Sequence, residues 1–318
     1  MLDSISCAVQ RAYAEKHRKY HDFSHITRML AKLEKCNINP SNELLYAIYF
    51  HDFVYDVDSK TNEEDSCNFL RMYADNFKLP VDVIRTCELI MATKHHQKDD
   101  ADIEKQIIIA LDLDIFNSPE ESELYAYEDG IFYEYQKYPL QDYIRKRKEF
   151  LFHMQECFGE HSIQSDNISK ILNYINNKKY KIGVYAGSFN PYHNGHEDIT
   201  QQAEQIFDKV ILAQGFNVEK EQPVPIKSKY RQTIQYNGLL INLFNKEPQC
   251  TKYLIRGLRN SLDIAYEETM RNTLLDMQQI NIVYFFCQKQ YEHVSSSMIR
   301  QLMQYDGNHC AKYLPQIY

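Results

Sequence analysis

Two groups of side chains in this sequence have the types and spacing that chemistry requires. The first is Gly187-Ser188-Phe189-Asn190-Pro191-Tyr192-His193-Asn194-Gly195-His196. Glycines let a backbone approach phosphate oxygens closely. The Ser188 hydroxyl can donate to a phosphate oxygen. His193 and His196 can hydrogen-bond phosphates and meet charge that develops during group transfer. The second group is scattered along the N-terminal half. His21 and His25 are four residues apart, hence on one face if helical. His51-Asp52 ends the apolar run Leu44 to Phe50, and a histidine beside a carboxylate is a sound pair for a transition metal. The apolar run Ile107 to Leu111 delivers Asp112 and Asp114. Carboxylates after so apolar a run need a partner, and a metal ion would serve. His95-His96 are read as supporting or surface groups.

These residues need elements to position them, and glycine divides the chain. Only Gly130 occurs before residue 159; the other eight glycines follow. A Gly-poor segment with Leu, Ile and Tyr at helical spacing reads as all-α. Residues 41–52, 61–77 and 81–96 carry the pattern, with Ser41 as an N-cap and Pro80 near a helix start. We assign residues 1–160 to this helical domain. Residues 161–180 are polar and Asn-rich and read as a linker. Residues 181–318 form the second domain. There, 181–186 reads as a strand, 195–207 as a helix and 209–213 as a strand, a βαβ unit. Further strands are expected at 251–255 and 281–286. The glycine- and histidine-bearing stretch thus falls between a strand and a helix, where open α/β sheets bind ligands.

Composition narrows the setting. The chain has 318 residues, enough for two domains, and a formal net charge of -8. That charge argues against a general nucleic-acid binder. The run Arg145-Lys146-Arg147-Lys148 reads as a solvated helix face. Eight cysteines occur without a C-x-x-C pair, in keeping with free thiols in a reducing cytoplasm. No signal peptide and no membrane span are expected.

The stretch 187–196 resembles the nucleotidyltransferase superfamily marked by (S/T)-F-(D/N)-P-x-H-x-G-H. Within it, Tyr253-Leu254-Ile255-Arg256-Gly257-Leu258-Arg259-Asn260 with Asp263 and Tyr266-Glu267, His293-Val294-Ser295-Ser296-Ser297-Met298-Ile299-Arg300, and the spacing from His196 to Lys220 are similar to phosphopantetheine adenylyltransferases. The likeness covers residues 181–318. It implies a Rossmann-like domain with a parallel sheet that transfers adenylyl from ATP to 4'-phosphopantetheine. It implies His196, Lys220 and Arg256 as catalytic residues. It implies an ATP site of Ser188, Phe189, His193, His196, Gly257, Arg259, Glu267 and Ser295-Ser296-Ser297, with Mg²⁺ accompanying ATP. Ser188, Lys220 and Arg256 would bind the acceptor. The family also implies a homo-oligomer. Two features depart from its pattern. His193 stands where the family often has threonine, and the stretch from Lys220 to Arg256 is short, with an abbreviated helix near 229–234. Another phosphate acceptor, such as a mononucleotide, is the alternative.

Tyr20 to Ile26, Tyr49 to Tyr55 and Ala110 to Asp114 occur in the order and spacing of the HD superfamily of metal-dependent phosphohydrolases. Asn62-Glu63 and Thr93-Lys94-His95 add to the likeness, which covers about residues 8–155. It implies an all-α HD-like domain with His25, His51 and Asp52 as ligands of a divalent transition metal such as Mn²⁺ or Fe²⁺. Asp114 is preferred over Asp112 as the fourth ligand. A non-catalytic nucleotide sensor is the alternative to a hydrolase acting on an unidentified phosphorylated substrate.

Overall fold

The computed structural model describes residues 2–96, 101–217, 223–305 and 307–315. It divides into two compact units. One comprises residues 1–135 and 144–174, the other 136–143 and 175–318.

The first unit is helical. Its elements are α1 (Leu2–Tyr13), α2 (Phe23–Lys35), α3 (Asn42–Phe50), α4 (Asn62–Phe77), α5 (Val83–His95), α6 (Ile103–Asp112) and α7 (Glu121–Glu134). Most of α8 (Leu140–Phe158) and α9 (Ile163–Asn177) also belong to it. Short polar side chains begin several of these helices. Asp22 accepts from Ser24 N, Ser41 from Leu44 N and Asp82 from both Ile84 N and Arg85 N. Each satisfies a backbone donor that the first helical turn leaves unpaired. Pro80 therefore stands two residues before the cap of α5. Ile26, Met29, Leu44, Ile48, Phe50, Leu70, Leu89, Ile90 and Ile108 are all buried in one core. Burying each such side chain is worth roughly 1.5–3 kcal/mol relative to leaving it exposed.

Two expectations need correction here. The polar 161–180 segment is largely α9, because Ile168, Ile171, Leu172 and Ile175 recur at helical spacing and are buried. The basic run on α8 is not solvated throughout. Arg147 is buried, and its Nε donates to Glu128 Oε2 at 2.9 Å.

The second unit is built on a five-stranded sheet, wholly parallel, in the order β3-β2-β1-β4-β5. Its strands are β1 (Tyr180–Gly187), β2 (Lys209–Gly215), β3 (Gln232–Tyr236), β4 (Cys250–Leu258) and β5 (Asn281–Phe286). Among the described residues, three α-helices accompany it: α10 (Asn194–Ala203), α11 (Ser261–Met277) and α12 (Ser296–Tyr305). β1 and β2 are buried almost along their length, as a sheet covered on both faces requires. β1 pairs with β2 on one side and β4 on the other, so the strand order reverses between β1 and β4. A crevice at the carboxyl ends of such strands is where open α/β sheets bind ligands. The expected helix near 229–234 is absent. Ser228 Oγ accepts from Arg231 N in a bend, and β3 follows at once. Among the described residues, no helix is long and apolar enough to cross a membrane.

Candidate functional site

The second unit carries a cavity of about 350 Å³ at that crevice. β4 and the turn after it supply Arg256, Gly257 and Arg259. The α10 N-terminus supplies His193, Gly195 and His196. α11 supplies Asp263 and Glu267, and the start of α12 supplies Ser295, Ser296 and Ser297. At the α10 start, Asn194 Nδ2 donates to the Lys312 carbonyl, 118 positions away in sequence.

The two imidazoles are held by the helix start itself. Gly195 N donates to His193 Nδ1 at 3.1 Å, and His193 N donates to His196 Nδ1 at 3.3 Å. Nδ1 of each ring is thus an acceptor, which leaves the proton of the neutral ring on Nε2. The rings stack with centroids 3.7 Å apart. Burial, and then the nearby Arg259 charge, push His193 down to about 4. Burial, then His193 and Arg259, hold His196 well below the ordinary value. Both rings are neutral N–H donors at pH 7, set at a helix N-terminus that favours anions. Gly195 permits this packing: a Cβ there would lie 3.1 Å from His193 Cε1. Gly257 is needed likewise, because its Cβ would meet Ile199 Cγ1 and the Tyr185 hydroxyl at 3.1 Å.

Arg256 forms a fork with Glu267, Nε to Oε2 at 2.7 Å and Nη2 to Oε1, and also donates to the Ala186 carbonyl. Arg259 donates through its backbone and guanidinium to Asp263. Ser295 Oγ accepts from Met298 N and so caps α12. Ser296 Oγ donates to the Pro191 carbonyl, and Arg300 donates to Ser297 Oγ and to the Asn190 carbonyl. The serine turn and the 187–196 stretch thereby hold each other.

Of the residues expected here, Ser188 is exposed at the end of β1 and does not line the cavity. The Phe189 side chain is 3% exposed and packs edge-on against His196, so it supports the ring instead of facing a ligand. Lys220 lies outside the described residues. Sequence reasoning missed Tyr185 and Cys287 in the cavity wall, and Gln214, which holds the backbone of the 187–196 stretch. Gln214 is buried on β2, and its Nε2 donates to the Ser188, Phe189 and Val224 carbonyls. A polar residue at the end of an apolar strand was the available signal.

The first unit gathers His25, His51 and Asp52, whose donor atoms all lie within 4.8 Å of one another. His25 Nε2 is 3.3 Å from His51 Nε2 and 3.2 Å from Asp112 Oδ1. His51 Nε2 is 3.1 Å from Asp52 Oδ2 and 3.8 Å from Asp112 Oδ1. Asp112, not Asp114, therefore faces the cluster. Asp112 ends α6 on the side of α2 and α3, whereas Asp114 begins the next turn and pairs with Lys32 at 2.9 Å. His96 Nε2 is 3.0 Å from the other Asp112 oxygen. His21 does not join the group: its Nδ1 meets the buried Glu134 at 2.7 Å, and Glu134 also accepts from three successive backbone N–H groups, Lys19 to His21. Arg18 braces the corner by donating to the carbonyls of His21, Asp52 and Phe53.

The chemistry of this donor set fits a divalent cation. His51 Nδ1 is 2.9 Å from the Ile48 carbonyl, which makes Nδ1 the donor and leaves Nε2 a lone pair in the neutral ring. That lone pair faces carboxylate oxygens, so something positive must stand between them. Without a metal it is a proton. Burial lowers the His51 pKa, but the Asp52 charge and hydrogen bond, with Asp112, outweigh it and raise the group to about 9. Two carboxylates beside two imidazoles match a divalent ion in charge and donor type.

Comparison with known proteins covers the second unit. Residues 184–302 match the family model described as "Cytidylyltransferase-like". The phosphopantetheine adenylyltransferase of Cytophaga hutchinsonii is 34% identical over 141 residues, 40% of this chain and 93% of that protein. That of Buchnera aphidicola subsp. Schizaphis graminum is 32% identical over 152 residues, 43% of this chain and 89% of its own length. The chain belongs to the cytidylyltransferase-like family. Its second unit spans nearly the whole of these relatives, and the helical unit is additional to them. The family's parallel sheet and nucleotidyltransferase chemistry accord with the crevice between β1 and β4.

Proposed function

We propose that the second unit transfers adenylyl from ATP to 4'-phosphopantetheine, giving dephospho-coenzyme A and pyrophosphate. The observation that carries this reading is the convergence of His193, His196, Arg256, Arg259 and the serine turn on one cavity; the named relatives support the choice of acceptor. An oxygen of the acceptor phosphate attacks the α-phosphorus of ATP. The new P–O bond forms as the bond from the α-phosphorus to the bridging oxygen breaks, and pyrophosphate departs. Little covalent work falls to the protein, which positions and stabilises. The Nε2–H groups of His193 and His196 donate to the phosphate oxygens. The α12 N-terminus with Ser296 and Ser297 receives the β and γ phosphates. Arg256 binds the acceptor phosphate, which competes with Glu267 for the guanidinium fork. Lys220 is proposed to bridge the two substrates, and Ser188 to contact the incoming phosphate. Mg²⁺ travels with ATP and neutralises its phosphates.

The test is pyrophosphate release from ATP and Mg²⁺ with 4'-phosphopantetheine, beside a panel of other phosphate acceptors. Release that requires 4'-phosphopantetheine and is lost in His196→Ala supports the reading. Release with a mononucleotide instead favours the alternative acceptor, for which His193 in the place of threonine and the missing 229–234 helix are the reasons.

For the first unit we propose a metal-dependent phosphohydrolase of the HD type. His25, His51, Asp52 and Asp112 would hold a divalent transition metal, which supplies charge neutralisation and an activated water. The support is the cluster geometry and its unmet need for positive charge. Saturating Mn²⁺ followed by metal analysis tests it; a metal-free protein would favour a nucleotide sensor.

A further inference from the structure

A second cavity, of about 220 Å³, opens beside His25 in the helical unit. α2 forms one wall. His25, Arg28, Lys32 and Lys35 all line it, at positions i, i+3, i+7 and i+10 of one helix face. The other side includes Tyr20, Asp114 and Ser118, whose Oγ donates at 2.5 Å to Glu123, a further lining residue. Arg28 lies 5.0 Å over the Tyr20 ring, and its Nη1 donates to Ser24 at 2.8 Å. Lys32 Nζ sits 2.9 Å from Asp114 Oδ1, with both side chains about one-third exposed. At 1.5 Å rise per residue, Lys32 starts roughly 10 Å along the helix axis from His25. A phosphoryl group held at His25 does not need a cation so far along the wall. A second anionic group on the same molecule does, and the Asp114 carboxylate marks where such an anion can meet Lys32.

We propose that this cavity takes the remote part of the N-terminal site's substrate, and that Arg28 and Lys32 select compounds bearing a second anionic group, phosphate or carboxylate, besides the scissile phosphate. The inference rests on the phosphohydrolase reading of the His25 site for its chemistry, but the cavity's preference can be measured apart from it. Arg28 supplies a planar fork suited to either oxyanion, and Lys32 a point charge. Tyr20 gives the bound molecule an aromatic edge.

The test uses the full chain loaded with Mn²⁺ and a matched set: 1,3-propanediol monophosphate, its bisphosphate, and phosphoglycolate as the carboxylate case. The expected result is a lower KM for the bisphosphate, phosphoglycolate or both than for the monophosphate. Arg28→Ala and Lys32→Ala should raise that KM about tenfold to a hundredfold, as loss of a charge-assisted hydrogen bond implies, with kcat and monophosphate hydrolysis unchanged. Asp114→Asn, which frees Lys32, should lower it. Equal effects on all three compounds, or none, would overturn the proposal. If no compound is hydrolysed, the phosphohydrolase reading fails and calorimetry with the bisphosphate decides the cavity. Binding weakened in Lys32→Ala and tightened in Asp114→Asn supports it; binding indifferent to both removes it.

Discussion

Replacing Gly195 by alanine should separate stability from activity in the transferase unit. The new methyl carbon would stand 3.1 Å from His193 Cε1, 3.2 Å from its Nδ1 and 3.8 Å from Cys287 Sγ. The first two contacts are several tenths of an ångström inside the usual carbon separation of about 3.5–4.0 Å. The imidazole must yield. It cannot yield alone, because it caps α10 through the Gly195 N–H and stacks on His196 with centroids 3.7 Å apart. Stability gains and losses nearly cancel. Alanine favours a helix over glycine by up to ~1 kcal/mol, and a weakened cap costs about 0.5–2 kcal/mol. Activity has no such offset: displacing reacting-site groups by about 1 Å costs roughly 100-fold, so a shift of a few tenths of an ångström should cost on the order of tenfold. We therefore expect Gly195→Ala to melt within a few degrees of the parent and to lose on the order of tenfold in kcat/KM for pyrophosphate release. His193→Asn is the companion, because asparagine caps a helix well but carries no imidazole donor. Its melting should be unchanged and its kcat reduced roughly 100-fold, the scale of losing one preorganised donor. Full activity in Gly195→Ala, or in His193→Asn, would refute the argument that the capped ring works on the phosphates.

Three other outcomes follow from the structure. Asp112→Asn should weaken Mn²⁺ binding at least about tenfold, on the scale of removing a ligand or its support, while Asp114→Asn leaves it intact; equilibrium dialysis tells them apart. In chelator, melting temperature should fall as pH rises from about 6.5 to 9. The His51 pKa is raised to about 9 in the folded chain, so its contribution is complete below the free-histidine value and lost above the folded one; a flat profile in the metal-free protein would contradict the assigned charge state. Arg231→Met should destabilise by about 3–5 kcal/mol, since it leaves Glu197 and Glu204 without the buried guanidinium that each now holds. Denaturant unfolding should find most of that loss recovered when both glutamates are changed to glutamine.

Much of this was legible in the sequence, for identifiable reasons. The β1 turn and α10 announce themselves through glycine and histidine spacing, and an apolar strand delivers Arg256 to the same cavity. Asp112 was misjudged because the choice between residues two apart turns on where a helix ends. α6 runs through Asp112, and that last helical position points its carboxylate at His25, whereas Asp114 begins a new turn. The 161–180 stretch concealed α9 because its apolar residues are few and widely spaced among Asn and Lys, although every buried one falls on one face. Arg147 looked solvated because it sits within a run of four cations; only the tertiary partner Glu128 distinguishes it from its neighbours. Glu134 gave no local sign at all. Its role depends on three backbone N–H groups more than 110 positions away.

The two candidate sites use the same side chain in opposite charge states, and the neighbours decide which. His193 is buried and His196 half-buried beside Arg259, with backbone N–H groups on their Nδ1 atoms. No carboxylate among their pKa-setting neighbours rewards a proton, so each stays neutral with Nε2–H outward, a donor to a polyanion. His51 is fully buried, but its Nδ1 faces a carbonyl and its Nε2 faces Asp52 and Asp112. Burial alone would make it neutral; the two carboxylates reverse that and hold a positive charge where a metal can replace the proton. A backbone donor on Nδ1 therefore leaves an imidazole with an Nε2–H suited to the phosphate-donor role proposed above. A backbone acceptor on Nδ1, with carboxylates opposite, suits it to the ligand role proposed above. Removing the carboxylates should remove the charge: Asp52→Asn with Asp112→Asn would leave His51 neutral and metal-poor, and a proton NMR titration of its ring would find the pKa below, not above, the free-histidine value.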